Sequence, residues 1–324
     1  ISENGSSLGF SPSFGYELCA RRARSGAPET FDLSTWRVAG IGGDMVRADV
    51  LDAFVDTFAP MSFRRSAFIP SYGMAEATLA ITFAEPDVPF ERDTVDLQAY
   101  AGSGVAKPVG GEVEARKRRT FVNCGKPMPG HALEVRLPDG QIAPDRHVGK
   151  IFIKGPSNMA GYFQDPEATD RVIDAEGWLD TGDMGYLVDG DLYVTGRSKD
   201  LIIVNGRNIW PQDIEWAVER LPEIRSGGAA AFAVSRSDGT ESVVTVVECR
   251  VREEEARQQL VRDIGSAIRA TAGVNAHVVL APLRSLTITS SGKLSRAKVK
   301  DKYLAGAFSD PMAEGRAGLA AMAE

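Results

Sequence analysis

Trp36-Arg37-Val38-Ala39-Gly40-Ile41-Gly42-Gly43-Asp44 is the stretch on which the fold turns. Residues 36–39 read as a strand, and Gly40, Gly42 and Gly43 as the loop that leaves it. Beyond the loop Val50, Leu51, Phe54, Val55 and Phe58 recur at helical spacing, so 47–58 is an amphipathic helix. Strand, glycine loop and helix in that order make the unit of a parallel α/β sheet, whose ligands gather at the carboxyl ends of the strands.

Working outward, a helix is predicted around 16–24, after a Ser/Gly-rich opening. From 84 to 118 the periodicity is lost: Pro86, Pro89 and Pro108 interrupt it, and 116–119 is a basic run. A solvated insertion or loop is expected there. Phe90, Val95, Leu97 and Tyr100 could anchor it, with Asp93, Asp96 and the basic run in solvent. Between 121 and 197 the texture is β. Leu133–Leu137 runs into Pro138-Asp139-Gly140, and Tyr186–Val188 passes through Asp189-Gly190 into Leu192–Val194. Asp-Gly between apolar residues signals a hairpin, and a small antiparallel barrel or sheet fits.

Past Lys199 the chain alternates again. A strand at 201–204 precedes a helix at 211–221 that opens on Pro211, with Ile214, Ala217, Val218 and Leu221 on one face. Strands at 229–234 and 242–249, a helix at 252–270 stopped by Gly273, and a strand at 276–280 complete a compact α+β domain. Residues 307–324 read as a tail or linker. The expected organisation is thus part of a large α/β domain over 1–120, a small β-barrel subdomain over 121–197, and a mobile α+β domain over 200–306.

Composition narrows the function without naming it. The 324 residues suffice for about two domains, and 43% hydrophobic with 25% charged residues is ordinary for a globular protein. A net charge of −7 argues against a nucleic-acid partner. No apolar run is long enough to span a membrane. Three scattered cysteines, Cys19, Cys124 and Cys249, suit a reducing, cytoplasmic compartment. The three histidines are equally scattered, with no metal-ligand spacing.

Four segments carry chemistry: Ser71-Tyr72-Gly73-Met74-Ala75-Glu76-Ala77-Thr78; Gly177-Trp178-Leu179-Asp180-Thr181-Gly182-Asp183; Gly196-Arg197-Ser198-Lys199-Asp200-Leu201-Ile202-Ile203 with Gly206–Glu215; and Thr289-Ser290-Ser291-Gly292-Lys293-Leu294. Taken singly, each has an ordinary explanation as a helix-start acid, a turn, a charged connector or a surface lysine. Four such motifs in one order across the chain are a different matter. Together they resemble the adenylate-forming superfamily of acyl-CoA synthetases, amino-acid adenylation domains and luciferases, over roughly residues 8–305. Within it, 11–19, 32–38 and 206–215 look most like fatty acyl-AMP ligases, as does an irregular stretch after the first motif, where those ligases carry an insertion.

The resemblance implies a reaction and roles. A fatty acid would react with ATP and Mg²⁺ to give acyl-adenylate and pyrophosphate, and the acyl group would pass to the phosphopantetheine thiol of an acyl carrier protein or of a polyketide or nonribosomal peptide synthase module. Glu76 resembles the Mg²⁺ carboxylate and Tyr72 the residue that stacks on adenine, with Gly73, Met74 and Ala75 beside it in the nucleotide-binding segment. Gly42, Gly43 and Asp44 line the base edge. Asp183 resembles the acceptor for the ribose hydroxyls, Arg197 the arginine on the phosphate or ribose, and Lys293 the lysine bridging carboxylate and α-phosphate. Lys199 occupies the hinge position. Asp44-Met45 stands where Glu-Pro is expected of acyl-AMP ligases. The Ser/Thr/Gly-rich phosphate loop and the His-containing motif are not in these residues, so the chain reads as a C-terminal half, inactive in isolation. An acyl-CoA synthetase or an aryl/amino-acid adenylation domain is the alternative in the same class. A non-catalytic nucleotide-binding or docking module is the alternative of another class.

Overall fold

The computed structural model describes residues 1–26, 31–110, 117–204, 206–235, 240–289 and 292–308. The chain divides into two compact units, one ending at Lys199 and the other beginning at Asp200.

The first unit opens with β1 (Leu8–Ser11), α1 (Ser13–Ser25), β2 (Val38–Ile41), α2 (Ala48–Phe58) and β3 (Phe68–Tyr72). The three strands are parallel neighbours in the order β1-β2-β3. The predicted helix at 47–58 forms almost to the residue and buries Val50, Leu51, Phe54 and Phe58. Those side chains join Tyr16, Trp36, Phe63, Phe68 and Phe90 in one aromatic core. The predicted strand at 36–39 starts two residues late, because the Trp36 N–H donates to the Leu33 carbonyl in a turn (3.0 Å). Its ring then packs against Phe54 and Phe63.

Next come β4 (Thr82–Phe83), β5 (Arg92–Asp96), α3 (Leu97–Ser103), β6 (Arg118–Val122) and β7 (Lys126–Pro127). β4 and β7 extend the sheet antiparallel beyond β3. The 84–118 stretch is therefore not simply a solvated loop: β5 pairs with β6, and the Asp96 carboxylate caps α3 by accepting from Ala99 N (2.8 Å). Phe90, Val95 and Tyr100 are buried as the anchoring idea requires, and Leu97 is half-buried.

Two of the residues assigned to solvent are not there. Arg119 is buried, its guanidinium over the Phe121 and Tyr100 rings, while Lys117 and Arg118 are exposed and residue 116 lies outside the described residues. Asp93 Oδ2 accepts from Arg146 Nη1 (2.7 Å) and from the buried Tyr186 hydroxyl (2.9 Å). Burial, then the Asp93 charge, push the Tyr186 hydroxyl far above the ordinary tyrosine range. Asp93→Ala strands that hydroxyl and removes the arginine's partner, so it is expected to cost about 2–3 kcal/mol, read as a lower urea midpoint. Asp93→Asn, which keeps an acceptor, is expected to cost less.

The first unit closes with β8 (Ala132–Arg136), β9 (Gly149–Lys154), α4 (Pro166–Asp170), β10 (Leu179–Val188) and β11 (Asp191–Arg197). Asp189 and Gly190 both take positive φ (53° and 84°) in the β10–β11 turn, as the Asp-Gly signal requires. The strands make an open antiparallel sheet in the order β11-β10-β9-β8, not the expected barrel. Closure needs tilt and stagger shared among more strands than four.

The second unit contains β12 (Ile202–Val204), β13 (Arg207–Ile209), α5 (Pro211–Val218), β14 (Ala229–Ser235), β15 (Glu241–Glu248), α6 (Glu254–Ala272), β16 (Ala276–Ala281) and α7 (Arg296–Leu304). β15 pairs antiparallel with β14 and parallel with β16. Alternation along β14 sends Ala229 and Ala231 to the face covered by α5 and α6, and Ala230 and Phe232 to the face reached by Val299 of α7. α5 stops at Val218, short of the predicted 221, and a turn follows from Leu221 N to Val218 O. α6 ends on Gly273 in the left-handed region (φ 67°), the expected stop. Phe308 is buried in the α7-side core, so the predicted tail is packed at its start; 309–324 lie outside the described residues.

Candidate active site

The parallel strands deliver three loops to one edge. β2 ends at Ile41 and runs into Gly42-Gly43-Asp44, while β3 ends at Tyr72 and runs into Gly73. The two are stitched by Ser71 Oγ, which donates to the Ile41 carbonyl (3.1 Å). A Cβ at Gly42 would press on the Ser71 carbonyl, and one at Gly73 would overlap the Leu79 carbonyl, so both positions need glycine for close backbone approach. The Asp44 carboxylate accepts from Ser13 N at the start of α1 (3.3 Å), and Ser13 Oγ donates to the Met45 carbonyl (3.0 Å). The Asp44-Met45 pair thus ties the β2 loop to the start of α1.

Tyr72, Asp183 and Arg197 converge from three strands. The Tyr72 hydroxyl donates to Asp183 Oδ2 (2.9 Å), and Arg197 Nε lies 3.4 Å from Asp183 Oδ1. Asp183 and Arg197 face each other in the β10–β11 register. On the β9 side the register breaks between Asp180 and Met184, an irregularity that re-aims Thr181-Gly182-Asp183. That bend is held by Thr181 Oγ1 on the Ile151 carbonyl (2.8 Å) and by Ser198 Oγ on the Gly182 carbonyl (3.1 Å). Tyr72 is 8% exposed, and burial first, then the Asp183 charge, hold its hydroxyl well above the ordinary range. The hydroxyl therefore stays a proton donor to Asp183. The Asp183 side chain is 14% exposed and that of Arg197 58%, leaving a guanidinium at the surface beside an anchored carboxylate.

Glu76 stands apart from these three, in a single 3₁₀ turn over Ala75–Ala77. Met74 lies at the entry to that turn, half-buried. Glu76 Oε1 accepts from the Tyr162 hydroxyl (2.9 Å), and its carbonyl accepts from Met159 N (2.7 Å). Burial and the Glu76 carboxylate raise the Tyr162 hydroxyl above its ordinary pKa. Thr78 takes φ 66°, ψ −53° while Leu79 N reaches back to the Ala77 carbonyl (2.7 Å). This is a strained turn for a β-branched residue, latched by Thr78 Oγ1 on the Ser157 carbonyl (3.1 Å). Tyr162 and Ser157 were missed in the sequence. Their signal was Gly155-Pro156 and Gly161-Tyr162 between a strand and the Pro166 helix start.

Glu76 Oε2 takes no hydrogen bond among the described residues, and no group of three His, Cys, Asp or Glu side chains could hold a metal there. One carboxylate with a disengaged oxygen fits Mg²⁺ that arrives on substrate phosphates and keeps most of its shell as phosphate and water. It does not fit a cation held by protein alone.

Lys199 is the last residue of the first unit. Lys293 belongs to the second. Its backbone closes a short turn with Thr289, and its side chain is exposed. Ser290 and Ser291 of the same motif lie outside the described residues. No helix among the described residues is long and apolar enough to cross a membrane.

Comparison with known proteins follows the same lines. Residues 6–163 match the AMP-binding enzyme family. The "Putative acyl-CoA synthetase" of Caulobacter vibrioides (strain NA1000 / CB15N) is 47% identical over 313 residues, covering 96% of this chain and 54% of the relative. The medium-chain-fatty-acid–acyl-carrier-protein ligase JamA of Moorena producens (strain JHB) is 35% identical over 308 residues, covering 91% of this chain and 52% of JamA. A solved structure from studies of fatty acyl-adenylate ligases of E. coli and L. pneumophila superposes with a TM-score of 0.85 at 45% identity, covering 94% of this chain and 53% of that one. The chain spans about half the length of the curated relatives it matches. Over residues 6–163 it carries the AMP-binding enzyme match, and along nearly its whole length it is similar to fatty acyl-AMP ligases.

Proposed function

We propose that the protein carrying this chain joins a fatty acid to AMP and then passes the acyl group to a thiol. The observation that carries the reading is the Tyr72–Asp183–Arg197 cluster. Nothing in packing two β elements requires a half-buried carboxylate aimed at an exposed arginine. A ribose with two adjacent hydroxyls and a neighbouring phosphate would use both groups. In the first half-reaction a carboxylate oxygen attacks the α-phosphorus of ATP, the bond to the bridging oxygen breaks, and pyrophosphate leaves. In the second, a thiol attacks the acyl carbon and AMP leaves. Both anions repel, so catalysis is alignment and charge neutralisation. Glu76 would hold Mg²⁺, which supplies part of that neutralisation when bound. Tyr72, Gly73, Met74 and Ala75 would border the adenine, and Gly42, Gly43 and Asp44 its edge. Arg197 would meet the phosphate or ribose, and Lys293 would bridge the carboxylate and the α-phosphate. Lys199 would be the hinge whose backbone rotation withdraws Lys293 between half-reactions.

The acceptor proposed is the phosphopantetheine thiol of a carrier protein in a reducing, cytoplasmic setting, which the three free cysteines support. Coenzyme A is the second reading, favoured by the name of the Caulobacter relative. Restraint of domain rotation by the 84–118 stretch would favour the carrier protein. Excising 88–116 is a poor test of that, because it removes β5 and α3 and uncovers Tyr186 and Phe121. The direct test is a product assay on the enzyme that carries this chain, offering ATP, lauric acid, holo carrier protein and CoA in turn. Acyl-AMP and acyl-carrier protein with little acyl-CoA are expected. Efficient acyl-CoA synthesis would move the protein to the CoA branch, and no pyrophosphate exchange at all would sink the enzyme reading. Residues 1–324 alone are expected to show no exchange, since no phosphate-cradling loop is among them.

A further inference from the structure

We propose that the turn carrying Lys293 is moored at both roots by buried carboxylates, Glu248 at its start and Glu215 at its end, and that Arg296 is the positioning residue joining it to Asp200. The proposal rests on the reading of Lys293 as the adenylation lysine. The turn itself is slight. Thr289 N donates to the Lys293 carbonyl (2.7 Å), Lys293 N to Thr289 Oγ1 (3.1 Å) and Ser295 N to the Thr287 carbonyl (2.9 Å). So short a two-stranded ladder is marginal in water and cannot hold a side chain in place unaided.

Its roots are of another kind. At the start, Glu248 Oε1 accepts from Leu286 N (2.8 Å), while Oε2 accepts from Arg225 Nη2 (2.6 Å) and Nε (3.0 Å). At the end, three residues past Lys293, Arg296 opens α7. Its Nε and Nη2 donate to Glu215 Oε1 and Oε2 at 2.7 Å each, and Nη1 donates to Asp200 Oδ2 at 2.8 Å. Glu215 Oε1 also accepts from Ala231 N (3.0 Å), fixing the clamp to β14. Both glutamates are buried, Glu248 completely.

Buried ion pairs are a poor means to stability, since well-packed apolar residues would serve as well or better. What a bidentate guanidinium–carboxylate pair adds is direction, because two parallel bonds fix the plane of the fork. Direction is what α7 lacks otherwise: Val299 alone among its side chains is buried. Asp200 adds the second half of the device. It is the first residue of the second unit, next to Lys199. With Asp200 and the Lys293 turn on one guanidinium, backbone rotation at Lys199 is passed to the lysine without slack.

Hydrogen–deuterium exchange on the full chain tests the mooring. In Arg296→Lys, which keeps the charge and loses the fork, and in Glu215→Gln, the Lys293 and Ser295 amides are expected to exchange about tenfold faster or more, with the β14–β15 amides other than Ala231 unchanged. Unchanged exchange at Lys293 and Ser295, or equal acceleration through β14 and β15, overturns the proposal. In the enzyme that carries this chain, Arg296→Lys is expected to lower kcat for pyrophosphate exchange about tenfold at unchanged KM for ATP. Transfer from preformed acyl-AMP should be untouched. Faster local exchange, with adenylation intact in both Arg296→Lys and Lys293→Ala, would keep the mooring and remove Lys293 from the chemistry. Lost adenylation in Lys293→Ala, with Arg296→Lys at wild type in both measurements, would do the reverse.

Discussion

Lys293→Ala, in the enzyme that carries this chain, is expected to slow acyl-AMP formation by about 10²–10³-fold, the effect of deleting one pre-organised charge donor from a transition state. Thiolysis of preformed acyl-AMP is expected to change far less. The asymmetry follows from charge. Attack of a carboxylate on a polyphosphate gathers negative charge on the α-phosphoryl oxygens, whereas thiolysis releases AMP from an acyl carbon. A flexible ammonium that visits the site for one half-reaction suits the exposed turn that carries Lys293. Unfolding of Lys293→Ala should match wild type, since the side chain makes no ion pair among the described residues. Pyrophosphate exchange and single-turnover thiolysis are the two measurements. Equal losses in both would show that Lys293 shapes the domain instead of acting on the phosphate.

Asp183→Ala is expected to raise the KM for ATP about 10²-fold or more, and also to lower stability. Asp183 anchors the Tyr72 hydroxyl and Arg197 at once. Its loss leaves a buried hydroxyl unsatisfied and frees the arginine, besides removing the acceptor proposed for the ribose hydroxyls. Charge-assisted hydrogen bonds contribute roughly 1.5–3 kcal/mol each, so two lost nucleotide contacts account for the factor. Asp183→Asn separates the two effects. An amide oxygen can still accept from Tyr72, so the urea midpoint should return towards wild type, while the KM stays raised because the amide brings no charge to the arginine. A KM unchanged in both variants would remove Asp183 from nucleotide binding. Tyr72→Phe should leave the arginine pair in place and cost the chain only the one hydrogen bond.

Much of this site was legible before any coordinates. Apolar spacing in 47–58, the Asp189-Gly190 turn and the Gly273 stop are local properties, set by side-chain period and by which residues tolerate positive φ. The motif order pointed to Tyr72, Glu76, Asp183, Arg197, Lys199 and Lys293. What a linear reading does not carry is distance. That Tyr72 meets Asp183 across 111 positions follows from a parallel sheet packing beside an antiparallel one.

The misreadings have the same origin. The stretch 84–118 lacks periodicity because β5 and β6 are held by each other and by Asp93, Arg119 and Tyr186, contacts between residues far apart in sequence. The barrel was expected from hairpin signals alone, yet whether the last strand meets the first depends on tilt and strand number, which no turn encodes. Tyr162 on Glu76, and Arg296 between Glu215 and Asp200, are polar residues in charged surroundings that look like solvated surface when read singly. The sequence by itself determined most of the elements and pointed to the family and to the candidate groups, because these rest on local spacing and residue chemistry. Only the tertiary structure decided which carboxylate each donor reaches, since burial and pairing are properties of the packed chain.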